Sequence, residues 1–170
     1  MNKTIFLDRD GVICKVEKGK YITGTGQLEI LPEVVQALKL FKRLGFLNIV
    51  VTNQLGISLG YATLEDVEAI NEEMKEKLRR AGGIIDDIFI APNMGSFRKP
   101  ALGMFVEAVR KWDIDLGESY MIGDSLSDMM AAENLGCRKI LVKSPLSPPV
   151  AETLWLAANM IENKEISLEE

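Results

Sequence analysis

The chain has 170 residues, and it contains no histidine and only two cysteines, Cys14 and Cys137. The absence of histidine excludes a Ser-His-Asp triad, a histidine-based metal site and imidazole acid–base catalysis. Two cysteines supply neither a disulfide framework nor a multi-cysteine zinc site. Proton transfer in an enzyme of this composition must therefore use carboxylates, lysine, tyrosine or water.

The sequence also lacks any apolar run near the roughly 18 residues that a membrane span needs. Its first segment, "MNKTIFLDRD", has too short an apolar stretch for a signal peptide. Twenty basic and 25 acidic residues give a formal charge of −5, which argues against a nonspecific nucleic-acid or anionic-membrane binder. We expect a cytoplasmic monomer with no nucleic-acid or membrane partner.

Short apolar segments alternate with segments of helical spacing along the chain. The strand-like segments are "TIFL", "FLNIVVT", "DIFIA", "YMIGD" and "KILV", each nearly continuous in hydrophobicity, which is typical of strands covered on both faces. Four helical patterns lie between or after them. This alternation predicts an α/β fold with a Rossmann-like, doubly wound, mostly parallel sheet of about five strands. We expect one domain over residues 1–160 and a charged C-terminal tail over 161–170.

Polar residues follow four of the predicted strands, at the edge where an open α/β sheet binds its ligands. They include acids, two cations, a hydroxyl and two amides: Asp8, Asp10, Thr52, Asn53, Gln54, Arg98, Lys99, Asp124 and Asp128. Carboxylates crowded together repel one another unless a cation lies among them. An oxygen-rich site of this kind suits Mg²⁺, which is commonly completed by a substrate phosphate. The pattern therefore predicts phosphoryl-transfer chemistry in which a carboxylate is the nucleophile.

Four motifs in this order, "DRDGVI", "VVTNQ", "RKP" and "IGDSLSD", resemble those of the haloacid dehalogenase-like (HAD) phosphatases. The resemblance covers nearly the whole chain. Within that superfamily, "FLDRDG", "VTNQLGISLG" and "RKPALGM" are similar to the branch of the histidinol phosphatases and the D-glycero-D-manno-heptose 1,7-bisphosphate phosphatases.

The resemblance implies a role for each candidate residue. Asp8 is expected to be the nucleophile that forms an aspartyl-phosphate, and Asp10 the general acid and then the general base. Asp8, the backbone carbonyl of Asp10 and Asp124 are expected to hold Mg²⁺. The remaining roles are transition-state stabilisation by Thr52 and Lys99, substrate contacts by Asn53, Gln54 and Arg98, and support of the metal ligands by Asp128.

Two departures from the family pattern bear on the substrate. The loop before the Arg-Lys-Pro motif is only "PNMGSF", without the cysteines and histidine of the zinc loop that heptose bisphosphate phosphatases commonly carry. The spacing between motifs also leaves no room for a cap domain. The flap over residues 14–30, with Lys18, Lys20 and Tyr21, is then the expected local lid.

The leading hypothesis is a Mg²⁺-dependent phosphatase for a small phosphorylated metabolite, with D-glycero-D-manno-heptose 1,7-bisphosphate (7-phosphate hydrolysis) as the preferred substrate. Histidinol phosphate, or the phosphorylated 3′ end of a nucleic acid, is an alternative within the same chemistry. A receiver-like phosphorylatable switch is an alternative from another class. Asp10 argues against the switch, because an acid two residues after the nucleophile promotes loss of the phosphoryl group.

Overall fold

The computed structural model describes residues 1–17, 19–142 and 150–165. The expected contribution of Lys18 to the flap, and residues 166–170 of the predicted tail, lie outside this described part. The last helix continues past residue 160 and ends at Glu162, so the division into a domain and a tail at that residue stays a prediction.

A six-stranded parallel sheet forms the centre of the fold. The five predicted strands are confirmed as β1 (Thr4–Leu7), β2 (Leu47–Asn53), β3 (Asp87–Ala91), β4 (Tyr120–Gly123) and β5 (Arg138–Val142). A sixth strand, β6 (Val150–Ala151), consists of two residues and was not predicted, because so short a segment carries no periodic signal. The strand order is β3-β2-β1-β4-β5-β6, and every pair is parallel.

Helices cover both faces of the sheet, as a doubly wound fold requires. They are α1 (Val34–Arg43), α2 (Leu55–Ser58), α3 (Leu64–Arg80), α4 (Gly103–Trp112), α5 (Leu126–Leu135) and α6 (Leu154–Glu162). One apolar layer combines β1 residues Ile5 and Leu7 with α1, α3 and α6, and the other combines Phe6 with α4 and α5. Successive β1 side chains thus enter opposite cores, which explains why the strand is apolar throughout.

The helix ends follow from local sequence signals. Thr63 accepts a hydrogen bond from the backbone of Asp66, and the Asp66 side chain accepts one from the backbone of Thr63, so a capping box begins α3. A second capping box, between Ser125 and Asp128, begins α5. Pro32 lies two residues before α1, which starts at Val34 after a left-handed Glu33.

The sheet order determines where a ligand can bind. Strand order reverses between β1 and β4, and the crevice at such a switch point is the usual binding site of doubly wound folds. Asp8 directly follows β1 and Asp124 directly follows β4, so the two carboxylates flank this crevice. Among the described helices none is both long and apolar enough to cross a membrane.

Candidate active site

Three acids converge where β1 and β4 end. Asp8, Asp124 and Asp128 each place a carboxylate oxygen within 4.8 Å of the others, and no other group of three or more potential metal ligands occurs among the described residues. Burial is the main cause that raises the pKa of Asp8 from 3.8 to about 7, and the carboxylates of Asp128 and Asp10 add to it. Burial, and then Asp128, raise the pKa of Asp124 to about 6. The site therefore carries more negative charge than its surroundings stabilise.

Lys99 is the cation that offsets part of this charge. Its side chain is almost wholly buried, and Nζ lies 2.9 Å from Oδ1 of Asp8 and 2.7 Å from Oδ1 of Asp128. Nζ also donates to the backbone oxygen of Val51 at 2.7 Å. Burial alone would lower the pKa of Lys99, but Asp128 and Asp8 outweigh it and raise that pKa. Lys99 is thus a permanent cation beside the predicted nucleophile.

Asp128 belongs to the site as well as to a helix cap. The side chain is completely buried, and its Oδ2 accepts from the backbone and hydroxyl of Ser125 at 3.1 and 2.6 Å. Because Oδ1 faces Lys99, the two oxygens have separate partners. A Cβ on Gly123 would lie 2.3 Å from the Asp128 side chain, so only glycine fits there. Support of the site by Asp128, expected from the sequence, is consistent with this geometry.

Asp10 and the polar end of β2 form a second group beside the acids. Gln54 donates through Nε2 to Oδ2 of Asp10 at 2.9 Å and to Oγ1 of Thr52 at 2.8 Å. Gln54 is only 3% exposed, so in this arrangement it holds the predicted acid and the predicted phosphate-binding hydroxyl in place. The predicted contact between Gln54 and substrate stays a prediction.

Asn53 connects β2 to the loop that carries Lys99. Its Oδ1 accepts from the backbone nitrogen of Lys99 at 2.9 Å, and its Nδ2 donates to the backbone oxygen of Lys99 at 3.1 Å. This pair of bonds fixes the main chain from which Lys99 reaches back to Asp8. A contact between Asn53 and substrate stays a prediction, as does one by Arg98, whose buried Nη1 has no hydrogen-bond partner among the described residues.

The flap lies against the β2–α3 connection. The ring of Tyr21 lies against Gly56, where an added Cβ would be 3.2 Å from it, and its centroid is 5.5 Å from that of Tyr61. Lys20, which the sequence offered as a lid residue, is exposed and forms an ion pair with Glu17. In the described conformation the lysine therefore points to a flap carboxylate.

Sequence reasoning missed two buried polar residues next to the site, Arg9 and Asn71. The Arg9 guanidinium donates to Asp10 and to Asn71, and neither Arg9 nor Asn71 is more than 3% exposed. The available signal was the arginine between two acids at the end of a buried strand. No local signal pointed to Asn71, because it lies 62 positions away on α3.

The carboxylate cluster fits a divalent cation of the hard, oxygen-binding class. Its three oxygens are close enough to share one ion. After burial, repulsion between the acids contributes to the raised pKa values of Asp8 and Asp124, and a bound cation would offset that repulsion. Lys99 contributes a single positive charge and leaves the three acids with a net negative charge. The cluster contains the predicted ligands Asp8 and Asp124 together with Asp128, and the predicted ligand set, which includes the backbone carbonyl of Asp10, stays a prediction.

Taken together, a doubly wound sheet with an aspartate after the first strand, a buried lysine and an acidic metal cluster defines the class of the protein. Residues 96–153 match the family model of the HAD-hydrolase-like proteins. The chain belongs to the HAD-like phosphatases, which are phosphoric monoester hydrolases.

Curated relatives point to one group within this class. The chain is 36% identical to the D-glycero-beta-D-manno-heptose-1,7-bisphosphate 7-phosphatase of Helicobacter pylori, over 87% of this chain and 88% of that protein. It is 34% identical to the D-glycero-alpha-D-manno-heptose-1,7-bisphosphate 7-phosphatase of Burkholderia mallei, over 79% of this chain and 76% of that protein.

A solved structure supports the same grouping. The crystal structure of the D,D-heptose 1,7-bisphosphate phosphatase from B. bronchiseptica, complexed with magnesium and phosphate, superposes with a TM-score of 0.85 and 29% identity. The match covers 95% of this chain and 99% of that chain. The α/β HAD fold expected from the sequence is therefore confirmed.

Proposed function

We propose that this chain is a Mg²⁺-dependent phosphatase that removes the 7-phosphate of D-glycero-D-manno-heptose 1,7-bisphosphate. The observation that carries the chemistry is the juxtaposition of Asp8 with Lys99, Asp124 and Asp128. The relatives whose printed names specify this substrate support its choice. Because those relatives act on different anomers, the anomer is an outcome of the experiment below.

In the proposed mechanism Asp8 attacks the phosphorus atom and forms an aspartyl-phosphate. Asp10 gives its proton to the departing sugar oxygen, and then takes a proton from the water that cleaves the intermediate. Lys99 and Thr52 donate hydrogen bonds to oxygens of the transferring phosphoryl group. Both donors are positioned before substrate arrives. Lys99 is held by the backbone oxygen of Val51 and by Asp128, and Thr52 is held by Gln54, which also binds Asp10.

The metal site is assigned to the side chains of Asp8 and Asp124 and to the backbone carbonyl of Asp10. Asp128 supports these ligands in two ways: its carboxylate binds Lys99, and its negative charge adds to the attraction for a cation. When bound, Mg²⁺ would offset the repulsion between the anionic nucleophile and the anionic phosphate. Asn53, Gln54 and Arg98 remain the proposed substrate contacts. Nη1 of Arg98 has no hydrogen-bond partner in the described part of the chain, which supports its inclusion.

We also propose a monomer that works in the cytoplasm, with its phosphatase domain ending near residue 160. Both cysteines are buried free thiols, which supports a reducing compartment. Size-exclusion chromatography with light scattering tests the oligomeric state, and a dimer at micromolar concentration would contradict it.

The proposed function is tested by phosphate release from a panel of substrates. The panel holds both anomers of heptose 1,7-bisphosphate, histidinol phosphate and a 3′-phosphorylated oligonucleotide, each with Mg²⁺ and with chelator. We expect one heptose anomer to be hydrolysed fastest. We also expect Asp8→Asn to lower kcat by roughly four orders of magnitude or more, as removal of a nucleophile does.

Asp113→Asn is the matched control, because it removes one carboxylate that is 80% exposed from a left-handed position that asparagine tolerates. It should leave kcat unchanged. Faster hydrolysis of histidinol phosphate or of the oligonucleotide would contradict the substrate assignment. Metal-independent turnover, or full activity of Asp8→Asn, would contradict the mechanism.

A further inference from the structure

Arg9 is the largest fully buried side chain described in the chain, with an exposure of 0%. A guanidinium has five N–H donors and stays charged in proteins, so complete burial requires acceptors and a compensating negative charge. The position lies between Asp8 and Asp10, at the end of β1. The strand alternation turns its side chain away from that of the nucleophile and toward α3.

The buried guanidinium of Arg9 donates two parallel hydrogen bonds to the carboxylate of Asp10. Nε donates to Oδ1 at 2.9 Å, and Nη2 donates to Oδ2 at 3.0 Å. This bidentate geometry fixes the plane of a carboxylate as well as its position. The third nitrogen, Nη1, donates to Oδ1 of Asn71 at 2.9 Å. Asn71 is buried on α3, so a helix far along the chain anchors the arginine.

The side chain of Asp10 is the exposed end of this network. It is 23% exposed. Among the described residues it accepts one hydrogen bond besides those from Arg9, from Nε2 of Gln54 to Oδ2 at 2.9 Å. A proton donor and acceptor must be held within about 3 Å of the oxygen that it serves. Since the spacing of the motifs leaves no room for a cap domain, the orientation of this carboxyl group depends on the residues behind it.

We propose that Arg9, anchored by Asn71, is a positioning residue that orients Asp10 for proton transfer to the leaving group and from water. This inference rests on the proposed function and deepens it. The effect passes entirely through Asp10, because neither Arg9 nor Asn71 is exposed to the crevice. Arg9 therefore acts on catalysis without touching substrate.

The test is a double-mutant cycle between Asn71→Ala and Asp10→Asn. Asn71→Ala removes the acceptor of Nη1 and leaves Asp8, Lys99 and the metal ligands in place. We expect it to lower kcat by about tenfold to a hundredfold, the usual effect of a misplaced acid–base group, with KM unchanged. In the Asp10→Asn background the same change should have no further effect, since a residue that acts only through Asp10 has nothing left to orient.

Leaving-group dependence separates positioning from a general structural defect. Release of p-nitrophenol needs little protonation, whereas release of phenol needs a proton donor. In single-turnover experiments with Mg²⁺, Asn71→Ala should slow the release of phenol from phenyl phosphate by about tenfold or more. The same variant should barely alter the release of p-nitrophenol from p-nitrophenyl phosphate. Asn71→Asp keeps an oxygen for Nη1 and should retain most of the wild-type rate with both substrates.

Leu78→Val is the matched control, because Leu78 is equally buried two turns along α3 and belongs to the apolar layer. It should leave the ratio of the two single-turnover rates unchanged. Additive losses in the cycle, or equal losses on both substrates, would overturn the positioning role while leaving the proposed phosphatase intact. No turnover of heptose 1,7-bisphosphate by the wild type in the double-mutant cycle would overturn the proposed function and this inference with it.

Discussion

Asp128→Asn and Asp66→Asn alter the same local structure in two helices, but only Asp128 lies in the active site. Both aspartates occupy the third position of a capping box, behind Ser125 in α5 and Thr63 in α3. Asp66 is exposed, whereas Asp128 is completely buried against Lys99. Comparing the two variants therefore isolates what the charge of Asp128 does in the site.

The capping contribution to stability is small and common to both variants. Weakening one capping box costs about 1 kcal/mol or less, because asparagine keeps an oxygen that can accept from the backbone. In the site, Asp128→Asn also removes an attraction to Lys99 across 2.7 Å, about 6 kcal/mol at an effective dielectric constant of about 20. At pH 8, where Asp8 and Asp124 are mostly ionised, it also relieves repulsion from these two carboxylates within 4.8 Å, about 3.5 kcal/mol or more from each at the same dielectric constant.

Because these opposing effects nearly cancel, we expect both metal-free variants to lose a similar free energy of unfolding, about 1 kcal/mol. Mg²⁺ changes the comparison, since a bound dication is attracted by every carboxylate of the cluster. Removing one negative charge should weaken Mg²⁺ binding by roughly tenfold to a hundredfold. Asp66→Asn should leave Mg²⁺ binding at the wild-type value.

Urea unfolding in chelator measures the first quantity, and isothermal titration calorimetry with Mg²⁺ measures the second. If Asp128→Asn bound Mg²⁺ as tightly as the wild type, the charge of Asp128 would not contribute to the metal site. If the metal-free variant lost several kcal/mol more than Asp66→Asn, the attraction to Lys99 would dominate and the estimate of near cancellation would be refuted.

Two further predictions follow from the same cluster. Gly11 has φ +87°, and a Cβ there would lie 2.0 Å from Oδ2 of Asp124; Gly11→Ala should lower kcat about a hundredfold by displacing that ligand. Gly60→Ala is the control: Gly60 has φ +76°, and a Cβ there would have no described atom within 4 Å. It carries similar backbone strain and should leave kcat unchanged; equal losses of kcat in the two variants would contradict the argument. The pKa of Asp8 is raised from 3.8 to about 7 in the fold. The metal-free protein therefore loses stability as the pH rises from about 4 to about 7, because Asp8 must ionise in a site that disfavours its charge. Mg²⁺ should therefore raise the thermal unfolding midpoint more at pH 8 than at pH 5, and equal shifts in a fluorescence melt would refute this.

Much of the site could be predicted from the sequence because each motif lies directly after a strand. In a parallel sheet all carboxyl ends lie at one edge, so Asp8, Thr52 and Asp124 had to meet there once the strands were recognised. The absence of histidine restricted proton transfer to carboxylates, lysine, tyrosine or water in the same direct way. Capping of α3 by Thr63 was also predictable, since a capping box involves only neighbours in the chain.

The partners of each side chain depended on the tertiary structure. The sequence alone did not determine that Gln54 would donate a hydrogen bond to Asp10. Nor did it determine that the Asn53 side chain would form two hydrogen bonds with the backbone of Lys99. The same is true of the short strand β6, which forms only by pairing with β5. Such contacts join residues that are distant along the chain, and no local pattern encodes them.

The sequence by itself thus determined the class of chemistry, the order of the strands along the chain and the residues at their ends. Only the tertiary structure decided how charge is distributed among those residues. Lys99 lies between Asp8 and Asp128, and Arg9 lies between Asp10 and Asn71. The physical reason is that a buried charge must find its partners wherever packing brings them close, and packing is a property of the whole fold.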